Sequence, residues 1–133
     1  MERHHERNYM SNYRGYRDLK VYQDAYALAM EIFRTAKGFP AEERRTLTDQ
    51  IVRSSRSVAA NIAEGWKKRR YVKMFISKMI DAAGEAGETE VWLDVAMDCG
   101  YITEGQHRDF TFRCDRLCAM LYSIVNQPEK FCQ

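Results

Sequence analysis

The run Trp66-Lys67-Lys68-Arg69-Arg70-Tyr71-Val72-Lys73 sets five cations among two aromatic rings, with no acid among them. Cations neutralise phosphates and a ring can stack on a base, so this pattern suits a nucleic-acid strand. The same residues also suit a solvated connector whose Lys and Arg side chains pair with acids on a neighbouring helix or subunit. Placed at the start of a helix, each cation would oppose the helix dipole by about 0.3–1 kcal/mol. Helix stability alone therefore does not account for them. Arg45, Arg53 and Arg56 share the outer face of the preceding helix. They either extend the basic block or, the reading preferred here, pair with an acidic helix of a neighbouring subunit.

That acidic helix follows directly. Asp81, Glu85, Glu88, Glu90, Asp94 and Asp98 are accompanied by a single cation, Lys78, between residues 74 and 98. Paired carboxylates can do acid–base or metal chemistry. A di-iron bundle, however, needs Glu-x-x-His on each of two helices, and only Glu104 to His107 fits, with Glu104 in the first turn of its helix. Glu90 falls near the apolar side of its helix and is expected to meet an arginine or a polar backbone group. Nucleophilic catalysis lacks a base: His107 is the only histidine in the folded region, and Ser54, Ser55 and Ser57 have no identifiable partner. The four residues from Gly100 to Thr103 supply no arginine for a helical-ribonuclease motif, and no glycine-rich phosphate loop is present. Cys99, Cys114, Cys118 and Cys132 contain no Cys-x-x-Cys pair and read as reduced thiols. The expectation is a protein with no catalytic site, no cofactor and no metal.

These residues must be positioned by a chain of 133 residues, 45 % apolar and 30 % charged, with a net charge of +2. That supports one domain with one core. No uncharged apolar run approaches a membrane span, and the first residues hold no apolar signal segment. A cytoplasmic protein without membrane contact is expected. Residues 1–15 read as a mobile tail, 16–128 as the folded domain and 129–133 as a second tail. Met10 offers an alternative start.

Apolar spacing of three and four predicts four amphipathic helices. The first opens with Asp18 as N-cap, carries Val21, Tyr22, Ala25, Leu28, Ala29, Ile32, Phe33 and Ala36 on a wide buried face, and ends at Lys37-Gly38-Phe39-Pro40. The second starts near Ala41, buries Leu47, Ile51, Ser54, Ser55, Val58 and Ile62, and stops at Gly65. The third runs from about Lys68 to Cys99 and buries Val72, Phe75, Met79, Ala82, Ala86, Leu93 and Met97, with Ile76, Ala83 and Gly87 beside them. Gly84 and Gly87 within it each cost about 1 kcal/mol relative to Ala, and the expected return is the tightest helix crossing of the fold. Thr103 and Gln106 form a capping box for the fourth helix, which carries His107, Phe110, Cys114, Leu117, Leu121 and Ile124 and is closed by Pro128. Connections of two to five residues make this an all-α, up-down-up-down antiparallel four-helix bundle.

Several segments together point to a known family. They are Tyr16-Arg17-Asp18-Leu19-Lys20-Val21-Tyr22-Gln23, Phe39-Pro40, Leu47-Thr48-Asp49-Gln50-Ile51, Ser57-Val58-Ala59-Ala60-Asn61-Ile62-Ala63-Glu64-Gly65, Glu88-Thr89-Glu90-Val91-Trp92-Leu93-Asp94 and Gly100-Tyr101-Ile102. Their order and spacing resemble the bacterial four-helix-bundle proteins encoded in intervening sequences of 23S rRNA genes, a family that includes the accessory variability determinants of diversity-generating retroelements. The resemblance covers roughly residues 16 to 126. It implies a four-helix fold, a homo-oligomer (typically a five-fold ring) and no established catalytic activity. The retroelement members are more strongly basic than this chain and bind nucleic acid and a reverse transcriptase.

Apolar residues left over from the core stripes support assembly. Met74 and Trp92 lie about 160° round the third helix from its buried stripe. Phe112 points away from the stripe of the fourth helix, and Met120 lies to its side. With Arg45 and the acids Glu85 and Glu88, these residues are the expected contacts of a cyclic homo-oligomer, a pentamer. Two functions remain open: a non-enzymatic scaffold that binds RNA, DNA or a nucleic-acid enzyme such as a reverse transcriptase, and a structural module whose charges serve subunit assembly alone.

Overall fold

A computed structural model describes residues 13–132. The expected N-terminal tail lies outside these residues except for its last three. Four helices carry the fold: α1 (Lys20–Ala36), α2 (Leu47–Lys67), α3 (Val72–Asp98) and α4 (Glu104–Asn126). Consecutive helices run antiparallel as a four-helix bundle, and no strand occurs among the described residues. The most extensive packing joins α2 to α3, then α3 to α4. The seam between α1 and α4 is the sparsest of the ring, bridged by an ion pair between Glu31 and Arg113.

The buried stripes follow the apolar periodicity except at Val72, which is exposed because it is the first residue of α3, ahead of its packed turns, and at Tyr22 and Phe33 of α1 and Met97 of α3, which are half-buried at the edge of their stripes. Val21, Ala25, Leu28, Ala29 and Ile32 face inward from α1, and Phe110, Cys114, Leu117, Leu121 and Ile124 from α4. The capping box of α4 forms as expected. The Gln106 backbone N–H donates to Thr103 Oγ1 at 3.0 Å, and the Thr103 N–H donates to Gln106 Oε1 at 2.9 Å.

Three helix starts differ from the sequence reading. Leu19, not Asp18, stands at the N-cap of α1, because Leu19 is buried in extended backbone. Asp18 instead accepts the Arg14 backbone N–H at 2.7 Å and holds the preceding turn. α2 begins at Leu47 rather than Ala41, after a 3-10 turn at Ala41–Glu43. The Glu43 carboxylate accepts from Thr46 Oγ1 at 2.6 Å, from the Leu47 N–H at 3.4 Å and from the Tyr101 hydroxyl at 2.9 Å. These hydrogen bonds hold Glu43 below the usual carboxylate range and push Tyr101 up to about 12. One side chain thus caps α2 and ties the α1–α2 connection to the α3–α4 connection. α3 begins at Val72, so Lys68 to Tyr71 form a turn between two helices.

The close helix crossing also lies elsewhere. A Cβ added to Gly84 or Gly87 would meet nothing within 4 Å, so among the described residues neither glycine marks a close approach of another helix. At Gly65 a Cβ would lie 2.7 Å from Met79 Cε and 3.0 Å from Lys78 Cβ. The tight approach is therefore that of α2 onto α3. Further along the same contact, the buried Ser54 and Thr89 hydroxyls share a 2.9 Å hydrogen bond. Thr89 also donates to the Glu85 carbonyl at 2.9 Å, so the polar atoms are satisfied.

Of the residues read as a C-terminal tail, Phe131 and Cys132 pack back onto the bundle. After a 3-10 turn at Pro128–Lys130, Phe131 stacks on Phe75 and on Tyr13, with centroids 6.1 and 5.9 Å apart. Replacing Gly65 by Leu should force a side chain between α2 and α3 and cost about 1–3 kcal/mol. Urea denaturation with an unchanged m-value checks this, and a stability equal to that of the wild type would refute the close crossing.

Candidate functional site

The basic block straddles the end of α2 and the turn into α3. Lys67 occupies the last turn of α2, where a cation favours the helix dipole instead of opposing it. The destabilising placement inferred from sequence thus holds only for Lys73, in the first turn of α3. Trp66 does not offer its ring to a base. It is 5 % exposed, packed edge-on against Tyr13 at 5.9 Å. Arg69 lies over the face of that ring. Its guanidinium carbon stands 4.0 Å from the Trp66 centroid, and its Nη1 donates to the Trp66 carbonyl at 3.0 Å. Lys68 pairs with Glu64 at 3.2 Å, and Lys78 of α3 reaches the same carboxylate at 3.4 Å. Both lysines hold Glu64 below the usual carboxylate range. Two of the five cations therefore have partners inside the subunit. Lys67, Arg70 and Lys73 remain exposed without an ion pair among the described residues, beside Tyr71, which is 61 % exposed.

The arginines of the second helix divide. Arg45 lies in the turn before α2 and not on its face, because α2 starts later than its sequence pattern implies. Arg53 and Arg56 project from the outer surface of α2. Arg53 donates to Gln50 Oε1 at 2.7 Å, and the Arg56 guanidinium lies 5.0 Å from the Phe33 ring centroid. Neither makes an ion pair among the described residues.

The acids of α3 do not share one environment. Asp81 lies 3.8 Å from Lys78, and Asp94 Oδ1 lies 2.7 Å from His107 Nε2. Glu88 accepts the Trp92 indole N–H at 3.2 Å. Glu85 is half-buried and Asp98 exposed. Among the described residues no arginine is placed against Glu90. Burial, and then the facing carboxyl of Asp115 on α4, push its own carboxyl up to about 7, with Asp94 adding to the rise and His107 offsetting it. Cys114 and Cys118 flank this seam. Burial pushes both thiols up, Cys114 to about 12, which leaves them weak nucleophiles. All four cysteines are free thiols. Among the described residues, no group of three or more His, Cys, Asp or Glu side chains is arranged to hold a metal ion.

The residues expected at subunit contacts vary in exposure. Met74 is exposed and Phe112 is 60 % exposed. Trp92 and Met120 are half-buried and lean on their own core. Sequence reasoning missed Ile80, Val91 and Val95, which stand exposed on the flank of α3. Their spacing of eleven and four residues, with Gly84 and Gly87 between them, was the available signal of a second apolar line on that helix.

A family model described as 23S rRNA-intervening sequence protein matches residues 17–123. No curated protein matches the chain. Among solved structures, the chain is similar to a Bacteroides thetaiotaomicron VPI-5482 protein of unknown function from the S23 ribosomal protein family. The two are 30 % identical with a TM-score of 0.71, over 79 % of this chain and 97 % of that one. Neither comparison indicates a catalytic family. No helix among the described residues is long and apolar enough to cross a membrane.

The Glu90–Asp115 seam has a consequence for pH. The folded state holds a proton on Glu90 that the unfolded chain releases in the ordinary carboxylate range, so this stabilisation is complete below that range. It is lost as pH rises through about 7. Glu90→Gln should therefore be more stable than wild type at pH 8, by about 2–5 °C in Tm, and should lose that advantage at pH 5. Thermal unfolding at the two pH values measures the difference, and an equal effect at both would refute a carboxyl held protonated by the seam.

Proposed function

Because the chain belongs to the 23S rRNA-intervening sequence protein family, we propose that it is a non-enzymatic cytoplasmic scaffold. It assembles as a cyclic homo-oligomer of five subunits and binds RNA or DNA, or an enzyme that works on nucleic acid, through a basic surface. The observation that carries the reading is the trio Lys67, Arg70 and Lys73. These cations stand exposed at one end of the bundle, unneutralised by acids of their own subunit among the described residues, with the Tyr71 ring beside them. Exposed cations of this kind gain by displacing counterions from a phosphate backbone, and an exposed ring gains by stacking on an unpaired base. The thiols of Cys114 and Cys118 and the carboxyl of Glu90 are turned into the α3–α4 seam, which supports a role without chemistry on a substrate.

Titration of single-stranded and duplex RNA at 50 and 200 mM salt tests the binding. Affinity should fall steeply with salt, and Lys67→Gln, Arg70→Gln and Lys73→Gln together should flatten the slope by about 2–3 units. Absence of binding at the lower salt would assign the charges to subunit assembly alone. Arg69 is left unchanged in this variant, since its guanidinium packs on Trp66.

Sedimentation equilibrium at micromolar protein tests the assembly. The expected mass is five times the 15.7 kDa of one chain, and a clean monomer would refute the oligomeric scaffold.

A further inference from the structure

The flank of α3 that turns away from the bundle has no partner among the described residues of its subunit. Ile80, Gly84, Gly87, Val91 and Val95 fall on one line of the helix, over about 22 Å. Ile80 is 47 % exposed and Val91 53 %. The open space over both glycines leaves the α3 backbone bare between these side chains. A second helix could approach there more closely than over any other exposed stretch of α3. Acids rim the line: Asp81 and Glu88 on one side, Asp94 on the other.

The outer surface of α2 has the complementary character. Ser57 and Ala60 are small and, with Arg53 and Arg56, line a shallow depression that also includes Asp49 and Val52. The arginines lack acidic partners in their own subunit among the described residues, and Arg56 is held over the Phe33 ring.

We propose that these two faces dock on each other between copies of this chain, the bare line of α3 in one subunit against the α2 exterior of the next. Small residues meet small residues, and the rim acids meet Arg53 and Arg56. Two copies of the α3 face could not pair with each other, because Asp81, Glu88 and Asp94 would confront the same acids. The contact is therefore heterologous, with different patches on its two sides, and repetition closes it into a ring. The inference rests on the reading of the chain as a self-assembling scaffold and specifies which faces meet. It also divides the cations: Arg53 and Arg56 are covered in the assembly, while Lys67, Arg70 and Lys73 stay free for nucleic acid.

Sedimentation equilibrium of the full chain, with circular dichroism as a check of helicity, tests the docking. Gly84→Leu with Gly87→Leu places side chains in space that is open in the subunit and occupied in the assembly. Helicity should be retained, and association should weaken at least tenfold. Arg53→Glu with Arg56→Glu should also weaken association at least tenfold, and adding Asp81→Arg and Glu88→Arg to that variant should restore it. If the leucine pair disturbs the helix, the charge exchange decides alone. A monomeric wild type would overturn the scaffold reading and this pairing together. An oligomeric wild type whose variants assemble unchanged would overturn only the pairing of these faces. A wild type of two subunits with no larger species would overturn the heterologous contact.

Discussion

The bundle depends on how closely α2 and α3 approach each other. At Gly65 a methyl group would press on Lys78 Cβ and on the end of the Met79 side chain. About 16 Å along α2, the contact is made by small polar groups, where Ser54 meets Thr89. A pair of helices this close has its relative rotation set by backbone shape, not by adjustable long side chains. That rotation buries Trp66 at one end, turns Glu90 toward α4, and leaves one side of α3 uncovered. The other two helices complete the core from either side, and the α1–α4 seam, farthest from the close contact, is the least densely packed.

The two ends of the bundle are finished by different means. At one end, Tyr13, Trp66, Phe75 and Phe131 form an aromatic cluster that joins four separate segments of chain. At the other, Glu43 gathers three donors from two connections, while Phe39 packs on Tyr101 at 5.5 Å. Neither arrangement is regular secondary structure, yet each fixes where a helix begins or ends. The basic turn rests on the aromatic end, so its exposed cations are mounted on a packed base. The part of the block that looks most suited to a base, the Trp66 ring, is what the base is made from.

Legibility in the sequence followed the range of each interaction. The inward stripes of α1 and α4 and the capping box at Thr103 and Gln106 depend on residues three or four apart, and their pattern alone located them. The start of α2 did not yield in this way, because Glu43 is held by Tyr101, fifty-eight residues away. Glycines in a helix signal close approach without saying which one makes it: Gly65 does within the subunit, and Gly84 and Gly87 do not. The exposure of Trp66 depends on Tyr13 and Arg69, and the environment of Glu90 depends on Asp115 of another helix. Of the basic site, the cluster was visible as a composition. Which of its cations are spent on the fold was not, since the start of α3 and the partners at Glu64 and Trp66 had first to be placed.

The chain contains two tryptophans, and the structure gives them opposite surroundings. Trp66 is buried, with the Tyr13 ring edge-on to it and a guanidinium against its face, whereas Trp92 is half in water with its N–H on a carboxylate. Their intrinsic fluorescence therefore separates by position: an indole sealed from water emits at shorter wavelength than one in a polar setting. The blue component reports the basic end of the bundle and the red component the flank of α3. The unlabelled protein thus carries two optical reporters, one for each of the surfaces on which its charges are gathered.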